Sequence, residues 1–198
     1  MPSFEDIQQY LTGAFRLMMG KPDGVRLLDV SADGFWNSFF AIVVALPALT
    51  VGWVAIANTA GDGAVGGRLS IVLRLGLIDV LSWVVPLVAL AIVARPAGIA
   101  HRYVHYVVAS NWASALIVWM MLPLALLNLF LPGLNQVVEA VSLLVFILAM
   151  VLVWRMTNAV LAKGPAVATG VFVFVLVISM ALLIGLQGLF GLAPASPG

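Results

Sequence analysis

The sequence predicts an all-α, polytopic membrane helix bundle, with five transmembrane helices after an N-terminal amphipathic helix that lies in the interface. Three observations predict it. Hydrophobic residues make up 64% and charged residues 9% of the 198, whereas a soluble domain carries about 25% charged residues. The apolar residues gather into five runs, each long enough to span. The run between Arg74 and Arg95 covers roughly 30 Å of helix, the thickness of a bilayer's hydrocarbon core.

The chain opens Met-Pro-Ser-Phe-Glu-Asp, without the basic-then-apolar order of a signal peptide, so no cleavage is expected. From Phe4 to Met19, Phe4, Ile7, Leu11, Ala14, Phe15 and Met18 recur at helical spacing. Ser3 is placed to cap this helix, Glu5 and Asp6 suit its positive end, and Gly20-Lys21-Pro22 stops it. It is too short and polar to span. It either lies in the interface, with Arg16 and Lys21 near headgroups, or packs under the bundle. Residues 22–34 form a connector. There Asp29-Val30-Ser31-Ala32-Asp33-Gly34 looks like the start of a calcium loop, but Phe40 stands where the bidentate Glu belongs. A turn followed by a helix cap is expected instead.

The expected spans are Phe35–Ala57, Leu75–Ala94, Tyr103–Phe130, Val137–Trp154 and Ala166–Leu192. In lipid the backbone must satisfy its own hydrogen bonds, so these runs are helical. The domains follow: 1–34 as amphipathic helix and connector, 35–192 as membrane bundle, and 193–198 as a short external tail. Arg16, Lys21, Arg26, Arg95, Arg102, Arg155 and Lys163 fall on one side, against Arg68 and Arg74 on the other. The basic side faces the cytoplasm. The chain is therefore expected in a bacterial inner membrane, N-terminus inside and C-terminus outside. Two echoes run through the spans. Trp36-x-Ser38 with Pro47 recurs as Trp112-x-Ser114 with Pro123, and Asp79 with Arg95 recurs as Glu139 with Arg155. Their offsets differ, so they do not form one clean duplication.

Composition excludes several classes. The chain has no cysteine, which removes thiolate metal sites and disulfides. Its net charge of +1 gives no pull on nucleic acid. Gly61-Asp62-Gly63-Ala64-Val65-Gly66 has glycine spacing, but no strand precedes it, so no nucleotide loop is read there. His101 and His105 are four apart, but no third ligand stands nearby, so no metal is assigned. No cofactor and no enzymatic activity are expected.

Four residues are candidates for handling a substrate or ion. Asp79 and Glu139 each lie sixteen residues from an arginine, Arg95 and Arg155, or about 24 Å along a helix. At that depth an acid faces the bundle interior or a wet cavity. Arg74 is placed to reach an acid near the outer boundary, and Glu139 to sit solvated at its helix start. Asn111 is placed to hydrogen-bond between helices. Pro47, Pro86 and Pro123 fall mid-span as kink candidates. Trp36, Trp53, Trp112 and Trp154 read as interfacial anchors, and Trp83 and Trp119 as bundle packing.

An N-terminal segment followed by five spans from Phe35 to Leu192 resembles the Yip1-like family of small membrane proteins, although the Asp-Leu-Tyr-Gly-Pro motif of its eukaryotic members is missing. The resemblance implies a non-enzymatic role in membrane organisation. The reading favoured by sequence is therefore a non-catalytic protein of the lipid bilayer that organises a membrane-protein partner or forms a homo-oligomer. The alternative is a small transporter or channel component using Asp79. The threading predicts that a tag placed after Gly198 is reached by impermeant reagents from outside intact cells. Protection of that tag until the membrane is opened would reverse the threading.

Overall fold

The computed structural model describes residues 1–59, 67–131, 133 and 135–192. The expected tail 193–198 and the glycine pattern 61–66 lie outside the described residues. Helix α1 runs Phe4–Met18, and a 3-10 turn, Pro22–Leu27, follows it. The short α2, Ala32–Ser38, leads into α3, Phe40–Thr59. The remaining helices are α4, Gly67–Val93, α5, Tyr103–Phe130, α6, Asn135–Leu161, and α7, Pro165–Leu189. Five of these stretches are long and apolar enough to cross a membrane. The protein is an all-helical integral membrane bundle.

The third span matches its expected bounds, while others extend further. α4 begins seven residues before Arg74, and α6 continues past Arg155 to Leu161. Basic residues near an interface do not end a helix, because long side chains reach the headgroups from inside its last turns. The first span starts at Ala32 rather than Phe35, with Ser31 as its cap.

α1 is specified at both ends. Ser3 and Asp6 form a capping box, with the Ser3 N–H donating to Asp6 Oδ2 at 2.8 Å and the Asp6 N–H to Ser3 Oγ at 3.2 Å. The Ser3 donors hold the Asp6 carboxyl below the usual carboxylate range. At the other end Gly20 takes φ +77°, and the Lys21 N–H reaches back to the Arg16 carbonyl at 2.9 Å. Glycine takes that backbone conformation without a Cβ clash. Arg16 pairs with Asp23 on the following turn and holds that carboxyl low as well. In the connector, Asp29 Oδ1 accepts from the Ser31 N–H at 3.0 Å, and Ser31 Oγ accepts from the Gly34 N–H at 3.0 Å. The calcium-like stretch is thus an Asx turn feeding a helix cap.

α1 lies against α5 and α6. It buries Gly13, Ala14, Leu17 and Met18, and leaves Phe4 and Phe15 exposed. The Tyr10 ring meets Trp112 of α5 at 5.4 Å, and Arg155 of α6 donates to the Met19 carbonyl. Trp112 is 1% exposed, so it is core and not the interfacial anchor expected from sequence. Trp36, its partner in the sequence echo, is 73% exposed, so the echo does not give equivalent environments.

The five spans close into a ring. α3 packs on α5, α5 on α6, α6 on α7, α7 on α4, and α4 on α3. α4 and α5 follow one another in sequence, yet they face each other across the centre without extensive backbone packing. Most of the bundle's outer surface is apolar, including Ile92, Leu144, Val177 and Ile184. Only 22% of the most apolar stretch of α4 and 11% of that of α7 is buried. Such surface is stable against acyl chains and not against water.

The turn after α1 depends on two glycines. A Cβ on Gly24 would stand 2.5 Å from the Gly13 carbonyl oxygen, and one on Gly13 would stand 2.9 Å from that of Gly24. Gly24→Ala is expected to destabilise the protein by about 1–3 kcal/mol by forcing the backbones apart. Gly170→Ala, where nothing lies within 4 Å, should not. Thermal unfolding of the two variants in one detergent checks the contrast.

Candidate functional site

The spans line a partly open cavity of about 340 Å³. Every span contributes to its wall: Leu49 from α3, Asp79, Ser82, Trp83 and Pro86 from α4, Tyr106, Ser110, Asn111 and Ser114 from α5, Met150 and Val153 from α6, and Val175 and Ser179 from α7. A second cavity, about 270 Å³, lies between α3, α4 and α5 and shares Asp79 and Leu49 with the first. No Lys, Arg or His is among the described residues lining either cavity.

Asp79 therefore faces the interior of the ring. Its Oδ2 accepts from the Trp53 indole N–H at 2.6 Å. Gly76 makes that reach possible. It lies one helical turn before Asp79, and a Cβ there would stand 3.3 Å from the Trp53 ring. Trp53 is expected from sequence as an interfacial anchor. The structure makes it the hydrogen-bond partner of the intramembrane acid. Gly76 at i−3 from Asp79 was the signal available in sequence.

Asn111 is fully buried and holds the opposite wall. Its Oδ1 accepts from the Trp83 N–H at 2.9 Å, and its Nδ2 donates to Ser38 Oγ at 2.8 Å. Ser38 in turn donates to the Phe35 carbonyl at 2.7 Å. This chain ties α4 to α5 and α2 through side chains, where the backbones stand apart. Nearby, Tyr103 donates to the Leu87 carbonyl at 2.9 Å, a second bridge from α5 to α4. Tyr106 is buried against Thr157.

The other candidates lie elsewhere. Glu139 is exposed and lines neither cavity holding Asp79. It shares a face of α6 with Met150 but lies eleven residues earlier, about 16 Å nearer the helix start. The two acids are not brought together. Arg74 Nη1 donates to the Phe190 carbonyl at 2.9 Å and so fastens α4 to the C-terminal end of α7. Pro47, Pro86 and Pro123 all lie inside helices, but Pro86 is buried on the cavity wall whereas Pro47 and Pro123 are exposed. His101 sits in the 3-10 turn Ala100–Arg102, ahead of α5, so it does not share a helical face with His105. Trp119, expected in the bundle, is 44% exposed and donates to the Val44 carbonyl.

No protein family, no curated protein and no solved structure matches this chain. The site offers one carboxylate, hydroxyls from four residues of α4 and α5 and one of α7, and two aromatic faces, inside a mostly apolar chamber. That combination resembles a small-ligand pocket, which is apolar with a few convergent polar groups.

Asn111→Leu should leave the Trp83 N–H and the Ser38 hydroxyl without their partner. The expected loss is about 1–3 kcal/mol of stability. It should come with a shifted tryptophan emission, because the Trp83 indole loses its acceptor. Unfolding followed by fluorescence reads both.

Proposed function

We infer that this protein is a non-enzymatic membrane protein that holds a small solute in the cavity between its five spans, as the binding element of a transport or permeation route. One observation carries the reading. All five spans line a single chamber that contains the intramembrane acid, Asp79. An acid in a span is costly and marks a solute or ion pathway when it faces a cavity.

The reading reverses the order of the two roles expected from sequence. The organising role implied by the Yip1-like resemblance is supported by α1 and by the open face of α7, where Gly170, Gly185 and Gly188 meet nothing within 4 Å. It ranks second because organising a partner has no use for a hollow, acid-bearing centre. The basic residues support a cytoplasmic N-terminal region, and on that reading α1 covers the cytoplasmic end of α5 and α6.

Because the chain has no cysteine, single substitutions report accessibility without background. Ser114→Cys and Ser179→Cys, on the cavity wall, should react with a charged methanethiosulfonate reagent in reconstituted vesicles. Val177→Cys, exposed on the outside of the ring, should sit in lipid and stay unreacted. If both cavity positions remain unlabelled, the chamber is sealed and the solute-binding reading falls.

A further inference from the structure

The α4 wall of the cavity presents oxygen atoms that the fold leaves without donors. Asp79, Ser82, Trp83 and Pro86 follow one another at i, i+3, i+4 and i+7, which is a single helical face. The Trp53 N–H engages Asp79 Oδ2, and a carboxylate has room for further donors or a cation. Ser82 Oγ is buried and has no hydrogen-bond partner among the described residues. Some hydroxyls of the spans bond to their own helix instead. Thr50, Ser110 and Thr157 all donate to a carbonyl of the preceding turn, at 2.8, 3.0 and 2.8 Å. Pro86 adds a further acceptor. It has no N–H, so the Ser82 carbonyl loses its helical donor.

What the wall lacks is positive charge. Among the described residues no basic side chain lines the cavity, and the Trp83 N–H is taken by Asn111. A carboxylate in such a place is too costly to keep as a lone charge, so a proton or a cation balances it. The size of the chamber chooses between cations. At about 340 Å³ it greatly exceeds the roughly 30 Å³ share of one water, so a bare metal ion would leave it hollow. Trp83 and Tyr106 supply aromatic faces of the kind that attract alkylated ammonium groups.

We propose that the cavity binds a small organic ammonium ion, which takes the place of the proton on Asp79. The proposal rests on the solute-binding reading above and names the ligand class for it. Binding forms an ion pair and makes and breaks no covalent bond except the carboxyl O–H, whose proton leaves for water. One proton is released for each cation bound. The surroundings leave Asp79 as the group that titrates. α3 and α7, which pack against α4, carry no ionisable side chain within their described lengths. α4 itself carries Arg68 and Arg74, of which Arg74 engages Phe190. Across the chamber α5 presents Tyr106, and α6 presents Met150, Val153 and Met156.

The probe is benzyltrimethylammonium, added to the full chain in mild detergent. Tryptophan fluorescence reads occupancy, and calorimetry in two buffers of different protonation enthalpy counts protons. Saturable binding is expected, with one proton released and an affinity that falls about tenfold for each unit the pH is lowered through the range where the carboxyl is protonated. Asp79→Asn should weaken binding by about tenfold or more, and Ser82→Ala should weaken it less. If Asp79→Asn does not fold, the pH dependence of the unaltered protein decides. Equal binding of benzyl alcohol or benzenesulfonate overturns the ammonium assignment. So does proton release by sodium but not by the ammonium, or an affinity indifferent to pH. These failures are separate from that of the cavity reading, which is judged by the cysteine labelling alone.

Discussion

A polar group inside a hydrocarbon layer has no water to fall back on, and this constraint arranges the interior of the bundle. Several polar side chains of the spans turn inward, and others bond to their own helix. Trp83, Asn111 and Ser38 form one continuous chain of hydrogen bonds ending on the Phe35 carbonyl. That chain crosses the place where α4 and α5 stand apart. It holds the ring's two opposed walls at a set distance and leaves a chamber between them. A ring without such cross-links would have no reason to stay open, since close helix packing is the main attraction between spans in lipid.

The same constraint separates the two acids. Asp79 lies far enough inside to need the Trp53 N–H, and Gly76 gives the indole the space to supply it. Glu139 lies in the second turn of α6 and is exposed, so it requires no partner within the ring. Sixteen residues separate each acid from an arginine, but Arg95 follows the end of α4 whereas Arg155 lies within α6, which runs on to Leu161. An arginine marks where a side chain reaches the headgroups, not where the helix stops.

α1 is attached by a different kind of contact. It meets the bundle through buried Ala14, Leu17 and Met18 and one aromatic pair, Tyr10 with Trp112. The close approach of Gly13 and Gly24 lets the following turn fold back onto it. The helix thereby covers part of α5 and α6 at the end marked by Arg155, while Phe4 and Phe15 stay outward.

The primary structure alone determined that the chain has five helices long and apolar enough to cross a membrane, where α1 begins and ends, and the turn and cap that open the first span. Those properties depend on the length of each apolar run and on local groups such as Ser3, Gly20 and Ser31, which act on their own neighbours. Asn111 was legible as an interhelical hydrogen-bonding residue because an amide deep in a span has few other uses. Which spans adjoin was decided by the tertiary structure, and with it the chamber, the pairing of Trp53 with Asp79, and the outward position of Glu139. Helices that are apolar on all sides carry no stripe to say which face turns inward, so only their packing together selects it.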